Sequence, residues 1–363
     1  MESKLFQPWR HGSLRLRNRV VMAPMTRRMA EEDGLVTDKI VAYYRRRARE
    51  EVGLIISEGT GIDSLHSYDT LTVPRFDHAG HHEAWRRVVE AVHEEDGAFA
   101  PQLWHTGRAG VDPIGPSTDT LPPKKDGTER PPVREMESDD FAQVLEAYRT
   151  SARAAQAIGC DALEIHGAHG YLLDSFLSAS TNRRTDEYGG NTQNRFRFPL
   201  EVVRATRGEV GPDFPIIYRF SQWKMDDYKE QKFQSPDDLE KWVTALREAG
   251  VDILHVSTRD ATDPGFEEHG GMSLAGWSEK LSGLPTIAVG KVSVTRGMDE
   301  KPGSPGDVVD NPAEKIALVD SGEVSLLAVG RALIANPNWV SLVRAGRWNE
   351  LKPFQSEILA ELI

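Results

Sequence analysis

The stretch LLAVGRALIANP, residues 326–337, begins with four apolar residues and changes character at Gly330 and Arg331. The stretch TIAVGKV, which starts at Thr286, follows the same pattern. A buried parallel strand is a short apolar run, and its C-terminal tip turns polar or glycine-rich where it emerges from the core. Both stretches therefore predict a parallel strand that ends in a tight glycine turn.

Six further runs along the chain share this pattern. They are VVMAPMT from Val20, LIISEGT from Leu54, FAPQLWH from Phe99, ALEIHGA from Ala162, IIYRFSQ from Ile216 and ILHVSTR from Ile253. Amphipathic helical stretches such as DKIVAYYRRRAREE and DDLEKWVTALREAG separate the runs. Eight strands alternating with helices predict an α/β fold, a single (β/α)8 TIM barrel that forms one domain over residues 1–363. An open doubly wound sheet is the alternative, but no GxGxxG turn follows an early strand.

Additional segments decorate this predicted barrel. The segment FQPWRHGSLRLRN, before the first strand, predicts a hairpin that turns at His11-Gly12 and plugs the N-terminal mouth. Three extended loops span residues 106–137, 224–234 and 293–311. The first two follow strand C-terminal ends, where barrels build substrate sites, so lids are one interpretation. Disordered surface loops are the other interpretation for all three.

Composition excludes several classes of protein. The 363 residues carry a formal net charge of −12, which disfavours nucleic acid and anionic membranes as partners. The N-terminus lacks the apolar core of a signal peptide, and no apolar run approaches the ~20 residues that span a bilayer, so we expect a cytoplasmic protein. Cys160, the single cysteine, excludes disulfides, cysteine-ligated zinc and iron–sulfur clusters within one chain.

The two glycine turns predict a phosphate site. The loops after strands seven and eight of such barrels commonly bind phosphate, and Gly290 and Gly330 allow the backbone to approach it. Arg331 would add a bidentate, charge-assisted contact. The alternative is a pair of tight strand–helix turns with a surface arginine.

Polar residues at other strand tips predict a second group of ligand contacts. His166, His169 and Tyr171 converge after the fourth barrel strand, where the favoured hypothesis is two donors for a ligand oxygen, with Tyr171 as a proton source. A metal site lacks a further ligand, because Glu164 is expected to point out of the strand, and structural histidines are the remaining alternative.

Arg219 and Gln102 are the polar residues on the fifth and third barrel strands. A buried Arg219 requires an anion or fixed acceptors, or else an ion pair with an acid such as Glu58. Gln102 can donate and accept at once, which suits an imide-like edge.

Together these residues resemble the Old Yellow Enzyme family of FMN-dependent ene-reductases. The resemblance covers nearly the whole chain, through VVMAPMTR at 20–27, QLWHTGR at 102–108, HGAHGYLLDSFLS at 166–178, NRRTDEYGGNTQNRFRF at 182–198 and GRALIANPNWV at 330–340. It implies tightly but non-covalently bound FMN, with NAD(P)H as the hydride donor. No metal is implied.

The resemblance also implies residue roles. Ala23, Pro24, Met25 and Thr26 would lie along the isoalloxazine, and Gly59 would leave room for the ring. Gln102 would bind the pyrimidine edge, Arg219 would lie beside N1 and O2, and Gly290, Gly330 and Arg331 would hold the phosphate. His166 would also contact the cofactor. Trp104 would shape the substrate pocket together with His166, His169 and Tyr171.

The implied reaction is reduction of the C=C bond of a small activated alkene. His166 and His169 would polarise the carbonyl, hydride would come from flavin N5, and Tyr171 would supply the proton. NAD(P)H and alkene would bind in turn, in ping-pong order, and a homodimer or higher homo-oligomer is compatible with the family. From the residues alone, an FMN-independent lyase or isomerase of a phosphorylated substrate, or a non-catalytic flavin-binding protein, remains an alternative.

Overall fold

Eight parallel strands close into a barrel in the computed structural model, which describes residues 2–63, 65–123, 127–295 and 308–363. Neighbours around the ring follow chain order, as expected for a (β/α)8 barrel. The barrel strands are β3 (Val20–Met22), β4 (Leu54–Gly61), β5 (Ala98–Trp104), β8 (Leu163–His166), β9 (Ile216–Ser221), β10 (Ile253–Ser257), β11 (Thr286–Val289) and β12 (Leu326–Val329). All eight coincide with the predicted apolar runs, so the predicted fold class is confirmed.

Helices surround the barrel. They are α1 (Asp38–Arg49), α2 (Ala79–His93), α3 (Ser138–Ala157), α4 (Leu172–Leu177), α5 (Thr192–Val210), α6 (Pro236–Ala249), α7 (Leu274–Ser282), α8 (Ala313–Ser321), α9 (Arg331–Ala335) and α10 (Trp339–Arg344). Helix α6 shows why they begin and end where they do. The Ser235 side chain accepts from the Asp238 amide, Pro236 takes the first position, and Gly250 ends the helix in the left-handed conformation.

A short hairpin closes the barrel at the end where the strands begin. Strands β1 (Trp9–His11) and β2 (Leu14–Leu16) pair antiparallel, and Gly12 has a φ of +56° at the predicted turn. Leu14 and Leu16 are buried in the cluster that fills the barrel interior, which includes Val21, Leu54, Ala98, Ile217, Ile253 and Leu326. The hairpin is therefore the predicted plug.

Two of the three long connections are anchored. The 106–137 connection contains a short parallel pair, β6 (Ile114–Gly115) and β7 (Arg134–Glu135). Its Arg108 is 7% exposed and pairs with Asp119 and with Asp226 of the 224–234 connection. The third connection, 293–311, for which a lid or a disordered loop was predicted, lies largely outside the described residues.

No helix in the described part of the chain is both long enough and apolar enough to cross a lipid bilayer.

Candidate active site

A cleft opens where the barrel strands end. Seven of the predicted site residues line this cleft, namely Ala23, Met25, His169, Arg219, Gly290, Gly330 and Arg331. Parallel strands of a barrel end on one face, which is why residues so distant in sequence meet here. Four of the side chains that line the cleft are basic, those of Arg219, Arg259, Lys291 and Arg331. The cleft is therefore positively charged in a protein whose net charge is −12.

Arg219 is the most deeply buried of these cations. Arg219 is only 6% exposed. Its Nε has no hydrogen-bond partner, and its Nη2 contacts Ser257 Oγ at 3.5 Å. Burial lowers the pKa of the guanidinium from its usual value. The alternative ion pair with Glu58 is wrong, because the Glu58 carboxylate accepts from the amides of Arg27 and Arg28 at 2.7 and 3.1 Å. A buried guanidinium with so few acceptors fits an acceptor-rich ligand in the cleft.

The two glycine turns border the same cleft. A Cβ on Gly290 would lie 2.6 Å from the Ala261 amide nitrogen, so only glycine fits against that loop. Gly330 immediately precedes α9, and a Cβ there would be 3.3 Å from the Met25 sulfur. Arg331 is half-buried, with its guanidinium 5.9 Å from the Phe354 ring. Both turns and the arginine thus line the same cleft.

The remaining predicted residues form a second group beside the cleft. Tyr171 packs edge-on against Trp104 and His166, with ring centroids 4.9 and 5.2 Å away. His166 also lies 5.2 Å from His169, which lines the cleft and joins the two groups. Pro24 is buried and Thr26 half-buried in the segment that carries Ala23 and Met25, but neither lines the cleft.

Gly59 occupies a different environment from the one expected. It lies within β4, and a Cβ there would be 2.6 Å from the Trp104 indole. The space beside Gly59 is thus filled by Trp104. Gly59 therefore acts by letting Trp104 approach the strand, which in turn places the indole against Tyr171.

His166 has a defined protonation state. Burial, together with Arg219 nearby, lowers the pKa of His166 well below its usual range, so the imidazole is neutral. The Ala168 amide donates to Nδ1 at 3.3 Å, which leaves the proton on Nε2. His166 can therefore donate one hydrogen bond without titrating near neutral pH.

His169 is held by residues that the sequence prediction did not include. Its Nε2 lies 2.8 Å from Ser257 Oγ, and the Trp223 indole stacks on it at 4.4 Å. The His169 backbone, in the loop after β8, is in the left-handed region with a φ of +66°, and its side chain lines the cleft. Ser257 could have been found from the sequence because it ends a strand with a hydroxyl. No sequence pattern indicated Trp223, because its stacking on His169 depends on how the chain bends after β9.

Tyr171 is suited to hold a proton. Burial raises the pKa of its hydroxyl to about 12, so the phenol stays protonated throughout the neutral range. The positive charge of Arg28, which pairs with Asp69, lowers this pKa but does not outweigh burial.

The predicted orientation of Glu164 is wrong. Glu164 is 0% exposed and points into the barrel, where Oε1 accepts from Gln102 Nε2 at 2.7 Å and Oε2 from His255 Nδ1 at 2.6 Å. Residues two apart on a strand share a face, so Glu164 has the same orientation as His166. The two-residue periodicity of a strand would have given this result, because the predicted run ALEIHGA contains both Glu164 and His166.

One group of possible metal ligands occurs in the described residues, and it lies at the start of α2, outside this cleft. It consists of Asp77, His78 and His81. His81 Nδ1 contacts Asp77 at 2.5 Å and Nε2 contacts the Asp33 carbonyl at 3.0 Å. A hydrogen bond between the His81 imidazole and the Asp77 carboxylate accounts for this contact without a metal ion.

A barrel of this kind, with a basic cleft and glycine turns at its last two strands, belongs to the class of phosphate-binding barrel enzymes. The model of the NADH:flavin oxidoreductase / NADH oxidase family matches residues 4–350, and the chain belongs to that family. It is thus an FMN-dependent oxidoreductase with NAD(P)H as the hydride donor, which replaces the FMN-independent lyase or isomerase that the residues alone allowed.

Individual relatives agree with this assignment. The chain is 33% identical to a NADH oxidase of Thermoanaerobacter brockii over 96% of its own length, but it spans only 52% of that protein. It is 33% identical to 12-oxophytodienoate reductase 7 of Oryza sativa, covering 94% of this chain and 88% of the relative. Among solved structures, morphinone reductase in complex with tetrahydroNAD superposes with a TM-score of 0.80 at 30% identity, covering 98% of this chain and 93% of that one.

The residues present fit the cofactor that the family implies. The observation that carries this conclusion is the Arg219 guanidinium, buried at the cleft with an unsatisfied Nε. An isoalloxazine offers the acceptor atoms that this group lacks, and the glycine turns provide the close approach that a phosphate needs.

Proposed function

We propose that the protein reduces the C=C bond of small electron-poor alkenes, such as enones, at the cleft and the adjoining aromatic group. One observation carries the proposal. A neutral imidazole donor and a phenol whose pKa is raised to about 12 lie with ring centroids 5.2 Å apart, directly beside a cleft that suits a flavin. That pairing supplies a hydrogen bond for a carbonyl oxygen and a proton for a carbon atom.

The chain would hold FMN through residues at several strand ends. Arg219 and Gln102 would contact the ring edge, Ala23 to Thr26 would lie along the ring, and Gly290, Gly330 and Arg331 would hold the phosphate. When bound, FMN would supply the hydride-transfer chemistry that links NAD(P)H to the alkene. Arg219 stabilises negative charge at the ring edge, because its guanidinium is fixed in a poorly hydrated place before any charge develops.

The substrate carbonyl would be bound by His166 and His169. His166 donates through Nε2–H, the tautomer that the Ala168 amide fixes. These donors withdraw electron density from the conjugated carbon and stabilise the enolate oxygen that develops. Tyr171 then delivers its proton to the other alkene carbon, and Trp104 keeps the tyrosine ring in place by an edge-on contact.

The proposal predicts a ping-pong kinetic pattern, because NAD(P)H and alkene would occupy the same space in turn. Double-reciprocal plots at several alkene concentrations should be parallel. Intersecting lines would mean that both molecules bind together.

Separate measurement of the two half-reactions tests the proposed roles. In anaerobic stopped-flow experiments with the FMN-loaded enzyme, NAD(P)H should bleach the flavin and 2-cyclohexenone should restore its colour. Tyr171→Phe should slow the second step by about 10²–10⁴-fold and spare the first, because only the second needs the proton. Tyr188→Phe is the matched control, since the Tyr188 hydroxyl contacts Glu201 away from the cleft. Equal losses in both steps, or none, would contradict the role of Tyr171.

A further inference from the structure

A chain of three buried polar side chains crosses the barrel interior next to His166 and Arg219. Gln102 on β5 lies opposite Glu164 on β8, and His255 on β10 lies opposite Arg219 on β9. Their exposed fractions are 2%, 0% and 0% for Gln102, Glu164 and His255. Burying polar groups so deeply is costly unless their hydrogen bonds are satisfied.

The hydrogen bonds fix the direction of each group. An ionised carboxylate only accepts, so the Gln102 amide must turn its NH₂ toward Glu164 Oε1, 2.7 Å away. The Gln102 carbonyl oxygen is thereby presented away from Glu164. His255 donates through Nδ1 to the other carboxylate oxygen, at 2.6 Å. Without Glu164, the Gln102 amide could take either orientation.

Glu164 also places a negative charge in the barrel. Burial lowers the pKa of His255 below its usual value, so its imidazole is neutral and does not cancel that charge. Burial lowers the pKa of Arg219, and the nearby Glu164 acts against that shift, although no direct ion pair joins Glu164 to a Lys or Arg among the described residues. The charge of Glu164 therefore opposes the field of Arg219 at a distance.

We propose that Glu164 is a positioning residue for the cofactor, which orients the Gln102 amide as an acceptor and offsets the positive field of Arg219. The proposal rests on the Gln102 and Arg219 contacts proposed above. An imide N–H on the pyrimidine edge of FMN donates a hydrogen bond, and the oriented Gln102 oxygen accepts it. Reduction adds negative charge to the ring, which Arg219 favours and Glu164 disfavours.

Two substitutions separate orientation from charge. Glu164→Gln keeps an oxygen that can accept from Gln102 but removes the charge. Glu164→Asp keeps the charge but shortens the side chain, which withdraws the acceptor from Gln102. The readouts are the dissociation constant of oxidised FMN from the reconstituted protein and the midpoint potential of bound FMN.

Glu164→Gln should favour reduced over oxidised FMN by about tenfold or more, a rise in midpoint potential of about 30 mV for two electrons. Glu164→Asp should leave the potential near that of the unmodified protein but weaken binding of oxidised FMN about tenfold. Glu279→Gln is the matched control. The Glu279 carboxylate accepts from the amides of Thr286 and Ser325, at the end of the barrel where β11 and β12 begin. This change should therefore lower stability without changing the midpoint potential.

The outcomes distinguish the two proposals. An unmodified protein that does not retain FMN would overturn the cofactor contacts themselves. An unmodified protein that binds FMN, with an unchanged potential in Glu164→Gln, would overturn only the role of Glu164. If Glu164→Gln does not fold, the Glu164→Asp variant tests the role instead. In that case, the role of Glu164 is overturned if Glu164→Asp binds oxidised FMN as tightly as the unmodified protein does.

Discussion

A buried carboxyl group within β4 links stability to pH. Glu58 is 1% exposed, and burial raises its pKa from 4.5 to about 7 despite two amide donors. Between those values the folded chain binds more protons at this site than the unfolded chain. The contribution of Glu58 to the free energy of unfolding therefore falls as pH rises through that window.

Glu58→Gln should remove this dependence, because the amide stays neutral. The difference in unfolding free energy, variant minus unmodified protein, should therefore rise by up to about 3 kcal/mol from pH 4.5 to pH 7.5. Urea denaturation at both pH values measures the gain. A difference between variant and unmodified protein that is the same at both would contradict the assigned pKa.

The absence of a side chain at Gly290 also has a testable consequence. The Gly290→Ala Cβ would meet the Asp260–Ala261 backbone at 2.6–2.8 Å, so the turn must move. We expect a loss of about 1–3 kcal/mol in stability and weaker retention of FMN. Gly208→Ala is the control, since it lies exposed in α5 with open space around it and should be neutral or stabilising. FMN retained equally by both variants would show that the turn does not contact the phosphate.

At this scale the sequence predicted which residues end the strands, but not all their partners. Arg219, Gly290 and Gly330 lie at or near the C-terminal ends of three strands and line one cleft, because the parallel strands of a barrel end on the same face. The Glu164–His255 contact joins residues 91 positions apart, and no local pattern indicates that their side chains meet. The Trp223–His169 stack was missed for the same reason.

At the scale of elements, the 224–234 connection is held by buried charges. Lys232 Nζ lies 3.1 Å from Asp174 of α4 and donates to the carbonyls of Ser221 and Trp223, with its side chain 4% exposed. Burial raises the pKa of Asp174 to about 6. The connection is thus anchored at its C-terminal part, while its aromatic Tyr228 faces Trp223 and Arg259.

Lys232→Met should release this connection. Leaving Asp174 buried without its cation costs about 3–5 kcal/mol, and hydrogen exchange of residues 222–234 should accelerate. Lys241→Met is the matched control, because that lysine is 65% exposed and its pair with Asp238 contributes little. Exchange that is unchanged in Lys232→Met would mean that other contacts fix the connection.

Strands were more predictable than connections. Each barrel strand is a short apolar run, and its position follows from composition alone. The Arg108 pairs and the β6–β7 bridge, by contrast, depend on segments that meet only after the barrel has closed. A Pro- and Gly-rich composition therefore indicated loops but could not distinguish anchored from free ones.

At the scale of the whole molecule, the barrel has one open end and one closed end. Leu14 and Leu16 of the hairpin complete the interior cluster at the end opposite the cleft. Leu16→Ala should destabilise the protein by about 2–5 kcal/mol and leave FMN affinity unchanged. Leu71→Ala, at a residue 51% exposed, should change stability by less than about 0.5 kcal/mol. Equal stability of the two variants in urea would show that the hairpin is not part of the core.

The central claim is that the buried guanidinium on β9 serves a flavin in the cleft. A crystal structure of the protein with FMN tests it most directly. The account predicts that the isoalloxazine fills the cleft, with Arg219 within hydrogen-bonding distance of its N1 and O2 edge and the phosphate against Gly290 and Gly330. A flavin bound elsewhere, or an Arg219 side chain turned away from it, would contradict the account.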